Sequence, residues 1–251
     1  MLDELSLLEW LVSVLVGIGI GFAKTAVATL GIFNVALLVQ VFPAKESVGI
    51  MLPMLIMGDI FAVIYYRRSV VWKYLFSLVP WVLIGILSGY FVLMHIKNDQ
   101  LSLLLGILIL SLIILQFCKD SIQLKVDRFF QNAKWFTYLM GILAGFATMI
   151  GNVSGVIMSI YLLSKGLPKK EFIGTGAWFY LFVNIIKIPF FLSLGMIASE
   201  SIVFNLTILP FILIGCYIGI KIVKLIPQKI FQWTILILGI LGSINLIILN
   251  W

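Results

Sequence analysis

Long apolar runs, continuous rather than alternating, decide what this chain can fold into. Ten can be marked, at about 7–23, 26–42, 47–66, 74–96, 100–118, 135–150, 152–164, 172–194, 201–226 and 230–250. A membrane-spanning helix needs about 20 such residues, and a barrel strand would show alternation instead. Only helices and closed barrels satisfy every backbone polar group inside hydrocarbon. Charged residues make up 11% of the chain, and the mean hydropathy is +1.20. A soluble domain carries roughly 25% charged residues, so a water-soluble enzyme and ordinary disorder are both excluded. The chain reads as an all-α polytopic membrane protein, with no room in 251 residues for a sizeable soluble domain.

The formal net charge of +7 does not point to nucleic acid here, because it follows the loops. With the N-terminus outside, fourteen basic residues fall in one set of loops. They are Lys24, Arg67, Arg68, Lys73, Lys119, Lys125, Arg128, Lys134, Lys165, Lys169, Lys170, Lys221, Lys224 and Lys229. The other set holds only Lys45 and Lys97, and Lys187 lies within a span. The positive-inside rule then places both termini outside a multi-pass protein of the cell membrane. The N-terminus, MLDELSLLEWL, is acidic where a signal peptide would be basic, so its apolar run is expected to stay as the first segment. Cys118 and Cys216 have no ligand spacing and read as buried thiols. Trp10, Trp72, Trp135, Trp233 and Trp251 suit an interfacial belt.

The two halves look alike. GIGIGFA at 17–23 matches GILAGFA at 141–147, at an offset of 124. The turn beginning Pro43-Ala44-Lys45-Glu46 and ending at Gly49 matches Pro168-Lys169-Lys170-Glu171 through Gly174, at 125. Pro80 through Gly85 matches Pro210 through Gly215 at 130, with Gly89 over Gly219. The division expected is an N-terminal repeat at 1–118, a linker with an interfacial helix at 119–134, and a C-terminal repeat at 135–251. Five segments per half is an odd number, so the second repeat is inserted upside down. Inverted repeats are characteristic of secondary transporters, whose site lies between the halves at mid-membrane. Segments one, two, six and seven are short for independent crossings. The pairs at 7–42 and 135–164 are therefore candidates for helix hairpins that enter and leave on one side, and loop charge cannot separate this from full crossing.

Gly145-Phe146, Gly151-Asn152-Val153-Ser154-Gly155, Leu167-Pro168-Lys169-Lys170-Glu171, Gly174-Thr175-Gly176 and the stretch Val183 to Pro189 form a pattern of their own. In it the chain resembles the TauE/SafE sulfite exporter family, over nearly its whole length. The first half departs from the family pattern, with Lys24-Thr25-Ala26-Val27-Ala28-Thr29-Leu30-Gly31 where glycines are expected. The resemblance implies a carrier of sulfite, sulfonates or related small anions.

Ionisable groups inside apolar runs each cost about 2.5–3.5 kcal/mol on insertion scales, so they read as functional first. Lys187 lies deep in segment eight, with Asn184 three residues earlier on the same face. It is expected to anchor an anion with Asn184 as a neutral donor, or else to be a structural partner of Asp59. Lys24 sits either at a midplane turn or snorkels to the surface. Asp59 aligns with Asn184 at the 125 offset and either balances a lysine or carries a proton. Thr148 to Gly155 is a polar, glycine-rich turn that would bring Asn152, Ser154 and a helix N-terminus into the site. Thr25 and Thr175 complete the expected substrate-binding set. His95, the single histidine, has no partner spacing for metal or catalysis, so neither an enzyme nor a cofactor is expected.

The expected function is secondary transport of a small anion by alternating access, in the export direction. An anion channel, or proton-coupled uptake of a sulfur-containing or carboxylate anion, is the competing reading. The partners expected are the anion and the lipid bilayer, without nucleic acid, and a homodimer is compatible with the sequence.

Overall fold

A computed structural model describes residues 5–26, 28–129, 134–197 and 199–222, with isolated positions at 240, 244, 247 and 248. The tenth expected segment lies almost wholly outside these residues. The described residues form helices α1 (Leu7–Thr25), α2 (Gly31–Leu38), α3 (Ala44–Tyr66), α4 (Trp72–His95), α5 (Asn98–Phe129), α6 (Lys134–Gly151), α7 (Gly155–Ser164), α8 (Lys169–Ser193) and α9 (Ser199–Ile222). A 3-10 turn at Ala28–Leu30 precedes α2, and no strand occurs among the described residues. Six of the helices are long and apolar enough to cross a membrane. The all-α polytopic expectation holds. The polar stretch after residue 118 begins as a continuation of α5, whose backbone stays helical to Phe129.

Local chemistry sets the helix starts. At α1, Ser6 and Glu9 form a reciprocal capping box, with the Ser6 N–H donating to Glu9 Oε2 at 2.7 Å and the Glu9 N–H to Ser6 Oγ at 3.3 Å. α3 and α8 each follow a proline, Pro43 and Pro168, and carry Glu46 and Glu171 in the first turn, where a carboxylate favours the helix dipole. Apolar side chains cover the outside of the bundle. Leu7, Leu8, Leu11 and Leu15 of α1, Phe76, Leu87 and Phe91 of α4, and Ile202, Val203 and Leu206 of α9 are all exposed. Hydrocarbon, not water, suits that surface.

Ring contacts fix the helix directions. Phe204, near the start of α9, packs on Trp10 at 5.7 Å and on Phe42 at 6.4 Å between centroids. The starts of α1, α3 and α9 therefore share one side. At the opposite side, the Val71 N–H donates to Thr175 Oγ1 at 2.9 Å, joining the α3–α4 loop to the first turns of α8. Arg67, Arg68, Lys73 and Lys165 flank this second side, hereafter the basic side.

Close contacts recur between the halves at the sequence offsets. A β-carbon at Gly21 would collide with the Ile212 carbonyl, and one at Gly145 with the Val82 carbonyl. Gly85 meets the Ile142 carbonyl as Gly215 meets that of Ile18. Gly17 packs on Ile208 and Phe211, and Gly141 on Leu78 and Trp81. Every one of these pairs maps onto its counterpart by 124 in the α1/α6 helices and 130 in the α4/α9 helices. Thus α1 lies along α9 in the same way as α6 lies along α4. Small residues at these seams let backbones approach where lipid supplies no hydrophobic drive. Across the centre, α3 and α8 run antiparallel, with Gly49 against the Met196 backbone and Gly174 against that of Ser69.

The contacts between the tips bear on the hairpin question. α1 enters from the N-terminal side and α6 from the basic side. Yet Gly155 sits on the Ala28 carbonyl, and a β-carbon at Gly31 would lie 3.5 Å from the Asn152 carbonyl oxygen. Two turns that arrive from opposite sides of the bundle and touch each other both end within it. Length alone would let α1 cross, but the contact places its end at the centre. Replacing Gly21 or Gly145 by Leu should destabilise the protein by a similar amount, at least the roughly 1–3 kcal/mol of ordinary overpacking, because backbone atoms block relief. The double variant should show the sum, as distant sites do. Thermal unfolding in detergent measures this, and tolerance at one glycine with collapse at the other would contradict the equivalence.

Candidate functional site

The two tips and the midpoints of α3 and α8 converge on a buried polar network. Asp59 of α3 is fully buried, with one oxygen in an ion pair and the other accepting a hydrogen bond. Lys24, at the end of α1, lies 2.7 Å from Oδ1. The Asn184 amide of α8 donates to Oδ2, also at 2.7 Å. The Asn184 carbonyl oxygen in turn accepts from Lys187 Nζ at 3.3 Å. These two neighbours fix the amide's orientation, since a carboxylate requires a donor and an ammonium an acceptor.

Lys187 is fully buried, and among the described residues no carboxylate forms an ion pair with it. Its nitrogen donates to Thr148 Oγ1 at 3.3 Å, to Asn152 Oδ1 and to Asn184 Oδ1. Three neutral acceptors match the three protons of an ammonium. The ring of Phe191 lies 5.2 Å from the nitrogen and adds a cation–π contact. Lys24 is similarly placed over Tyr180, 4.6 Å from the ring centroid.

Asn152 makes the turn between α6 and α7. Its φ of 58° is left-handed, a conformation asparagine adopts more readily than most residues. In that conformation its N–H donates to the Thr148 carbonyl at 3.0 Å and closes α6. Its side-chain amide donates to the Val48 carbonyl at 3.1 Å, so a single residue ties the α6–α7 tip to both α3 and α8. Ser154 precedes α7, whose first amide N–H groups lack helical partners.

A cavity of about 30 Å³ lies among Lys24, Asn34, Asn152, Ser154, Tyr180 and Asn184. A second of about 30 Å³ adjoins it, sharing Ala23, Lys24, Ala28 and Tyr180 and continuing along Ser159, Leu162, Phe172 and Ile173 toward the basic side. On the other side of the centre, Val48, Ile50, Met51, Leu52 and Met54 of α3 are all buried to within 1%. The void therefore leads from the network toward the basic side.

Of the residues expected from sequence, Lys187, Asn184, Asn152, Ser154, Lys24 and Asp59 meet here. Asp59 takes Lys24 as its ionic partner rather than Lys187. Thr25 and Thr175 are placed elsewhere. The Thr25 hydroxyl donates to the Gly21 and Cys216 carbonyls at 3.0 and 3.1 Å, where it serves the α1–α9 seam. Thr175 binds Val71 at the basic side. Three residues join that sequence reading had not singled out: Thr148, Tyr180 and Asn34. Thr148 was findable, since it stands 124 residues after Lys24.

A family model for the sulfite exporter TauE/SafE matches residues 11–246. The chain belongs to that family. Searches of curated proteins and of solved structures give no significant match. The match covers both tips and all of the network, so this TauE/SafE protein carries its buried lysines within the family's own frame. Family members are membrane transporters rather than enzymes, and a small anion and membrane lipid are the surroundings they imply.

Asp59→Asn should leave Lys24 buried without a counter-charge and cost about 3–5 kcal/mol, the usual penalty for removing one partner of a buried pair. Adding Lys24→Met should recover most of it. Unfolding transitions of the two singles and the double variant give the coupling directly; additive losses would mean that the pair does not interact.

Proposed function

We propose that this TauE/SafE protein exports a small sulfur-containing monoanion, sulfite in its singly charged hydrogensulfite form or an organosulfonate, from the cell by alternating access. In this reading, 1–118 and 135–251 are inverted repeats joined by 119–134, the basic side is cytoplasmic, and both termini are outside. The observation that carries it is the charge of the central network. Lys24 and Lys187 face a single carboxylate, Asp59, so the site holds one positive charge in excess. A monoanion neutralises it, while a dianion or a neutral solute leaves a buried charge uncompensated.

The anion enters from the basic side past Tyr180 and reaches the cavity beside Lys24, Asn152, Ser154 and the start of α7. A helix N-terminus there adds about half a positive charge in favour of an oxyanion. About 30 Å³ holds only a water or two, so the tips and Tyr180 must part to admit the cargo. Inverted halves supply that motion, because exchanging their roles opens the opposite side. Asp59 balances Lys24 throughout, and no proton step is required. An interior-negative potential of about 100 mV is worth roughly 2.3 kcal/mol per charge, enough to drive a monoanion outward against about a 50-fold gradient.

Proteoliposomes loaded with sulfite or methanesulfonate test this. Efflux should be saturable, should rise with an interior-negative potential, and should vanish in Lys187→Met at unchanged folding. Flux that needs a proton gradient and stops in Asp59→Asn would replace export with symport. Single-channel conductance would replace the carrier with a channel.

A further inference from the structure

Asn34 is the polar residue of the site with nothing to bind. It lies on α2 within the apolar stretch GIFNVALL and is 1% exposed. Neither its amide nitrogen nor its carbonyl oxygen has a hydrogen-bond partner among the described residues. An unpaired amide in an apolar interior is costly, and native proteins seldom keep one without a use. Asn34 lines the central cavity together with Lys24, Ser154 and Gly155.

Two further observations show that the amide is accommodated rather than required. The offset of 124 that relates Gly31 to Gly155 places Met158 at the position equivalent to Asn34. The other half thus packs the same place with an apolar side chain. Gly19 makes the room: a β-carbon there would collide with the Asn34 carbonyl oxygen, whereas the amide nitrogen lies farther off, at 3.4 Å. Gly19 therefore leaves room for the Asn34 amide on one side, and Asn34 borders the cavity on the other.

We infer that Asn34 is a substrate-binding residue whose NH₂ donates to the cargo, and that it makes the site selective for anions with several oxygens over single-atom anions. This rests on the proposed transport reading and adds the source of its selectivity. Donors line the cavity from separate elements: the Lys24 ammonium on α1, the Asn34 amide on α2, and the Ser154 hydroxyl and first amides of α7. A sulfite or sulfonate group presents three oxygens and engages all of them together. A halide satisfies charge but leaves directional donors unpaired, which is how a hydrogen-bonding site rejects a ligand lacking the matching group. Gly19 is a positioning residue, acting through the orientation of Asn34.

The test uses the full-length purified chain, Asn34→Met as the variant, and calorimetric binding of methanesulfonate and bromide, with thermal unfolding alongside. Asn34→Met copies the equivalent residue of the other half, so it should fold and unfold at a higher temperature than the parent. Methanesulfonate should bind about 10- to 100-fold more weakly, as expected for a lost hydrogen bond to a charged ligand, while bromide changes less than about twofold. Gly19→Ala should shift methanesulfonate affinity in the same direction. Unchanged methanesulfonate binding in Asn34→Met, with binding lost in Lys187→Met, would overturn the role of Asn34 and leave the transport reading in place. Equal weakening of both anions would overturn the selectivity. If the parent binds neither anion, both readings fall.

Discussion

Two ammonium groups and one carboxylate lie where a bilayer supplies no water, and the arrangement around them organises the whole molecule. Each charge at that depth must be stabilised by something fixed, because solvent cannot rearrange to do it. Asp59 answers with an ion pair to Lys24 and a hydrogen bond from Asn184. Lys187 answers with three neutral oxygens and an aromatic face. Those partners come from α1, α3, α6, α8 and the α6–α7 turn, so the network needs the two tips to meet at the centre. The tips meet because Gly155 lets its backbone rest against the Ala28 carbonyl, where a β-carbon would collide. The tips are held in place by their own helices, which the α1–α9 and α4–α6 glycine seams seat at close range.

The equivalent helix contacts were legible because glycine and proline mark geometry rather than mere apolarity. GIGIGFA and GILAGFA are short enough to be chance, but their glycines turn out to face equivalent carbonyls, at Ile212 and Val82. The Pro-x-Lys-Glu turns start α3 and α8 as their chemistry dictates. Much of the site was legible for the complementary reason that an ionisable or amide side chain inside an apolar run has few explanations. Lys187, Asn184 and Asn152 were visible in that way.

What escaped the sequence was pairing and orientation. Asp59 was aligned with Asn184, yet nothing in the residue order tells whether its carboxylate meets Lys24 or Lys187. That depends on how far each tip penetrates, which loop charge leaves open. Thr25 looked available, but a threonine inside a helix can turn its hydroxyl back to the carbonyl four residues earlier, and here it does so at Gly21. Thr175 is taken by a loop N–H far from the centre. Asn34 lies in an eight-residue helix of otherwise apolar or small residues, where a lone amide gives no periodic signal.

The distribution of bonds between the halves bears on how such a site could alternate. Lys24 and its counter-charge Asp59 both come from the first half. Lys187 and its three acceptors, Thr148, Asn152 and Asn184, all come from the second. Among the described residues, the Asn184–Asp59 and Asn152–Val48 hydrogen bonds and the Lys24–Tyr180 cation–π contact cross the network between the halves. In the proposed alternation, a rocking of one half against the other therefore leaves Lys24 with its carboxylate and Lys187 with its three acceptors. No cation is stripped bare at mid-membrane during the motion, and that would be the prohibitive step. The two hydrogen bonds of the network that join the halves both involve asparagine amides. One frees a carboxylate oxygen, the other a backbone carbonyl, and in the same opening both amide donors turn toward the space between the halves, where an arriving oxyanion is the natural acceptor. Cargo binding and the loosening of the halves are then opposite sides of one exchange of hydrogen bonds.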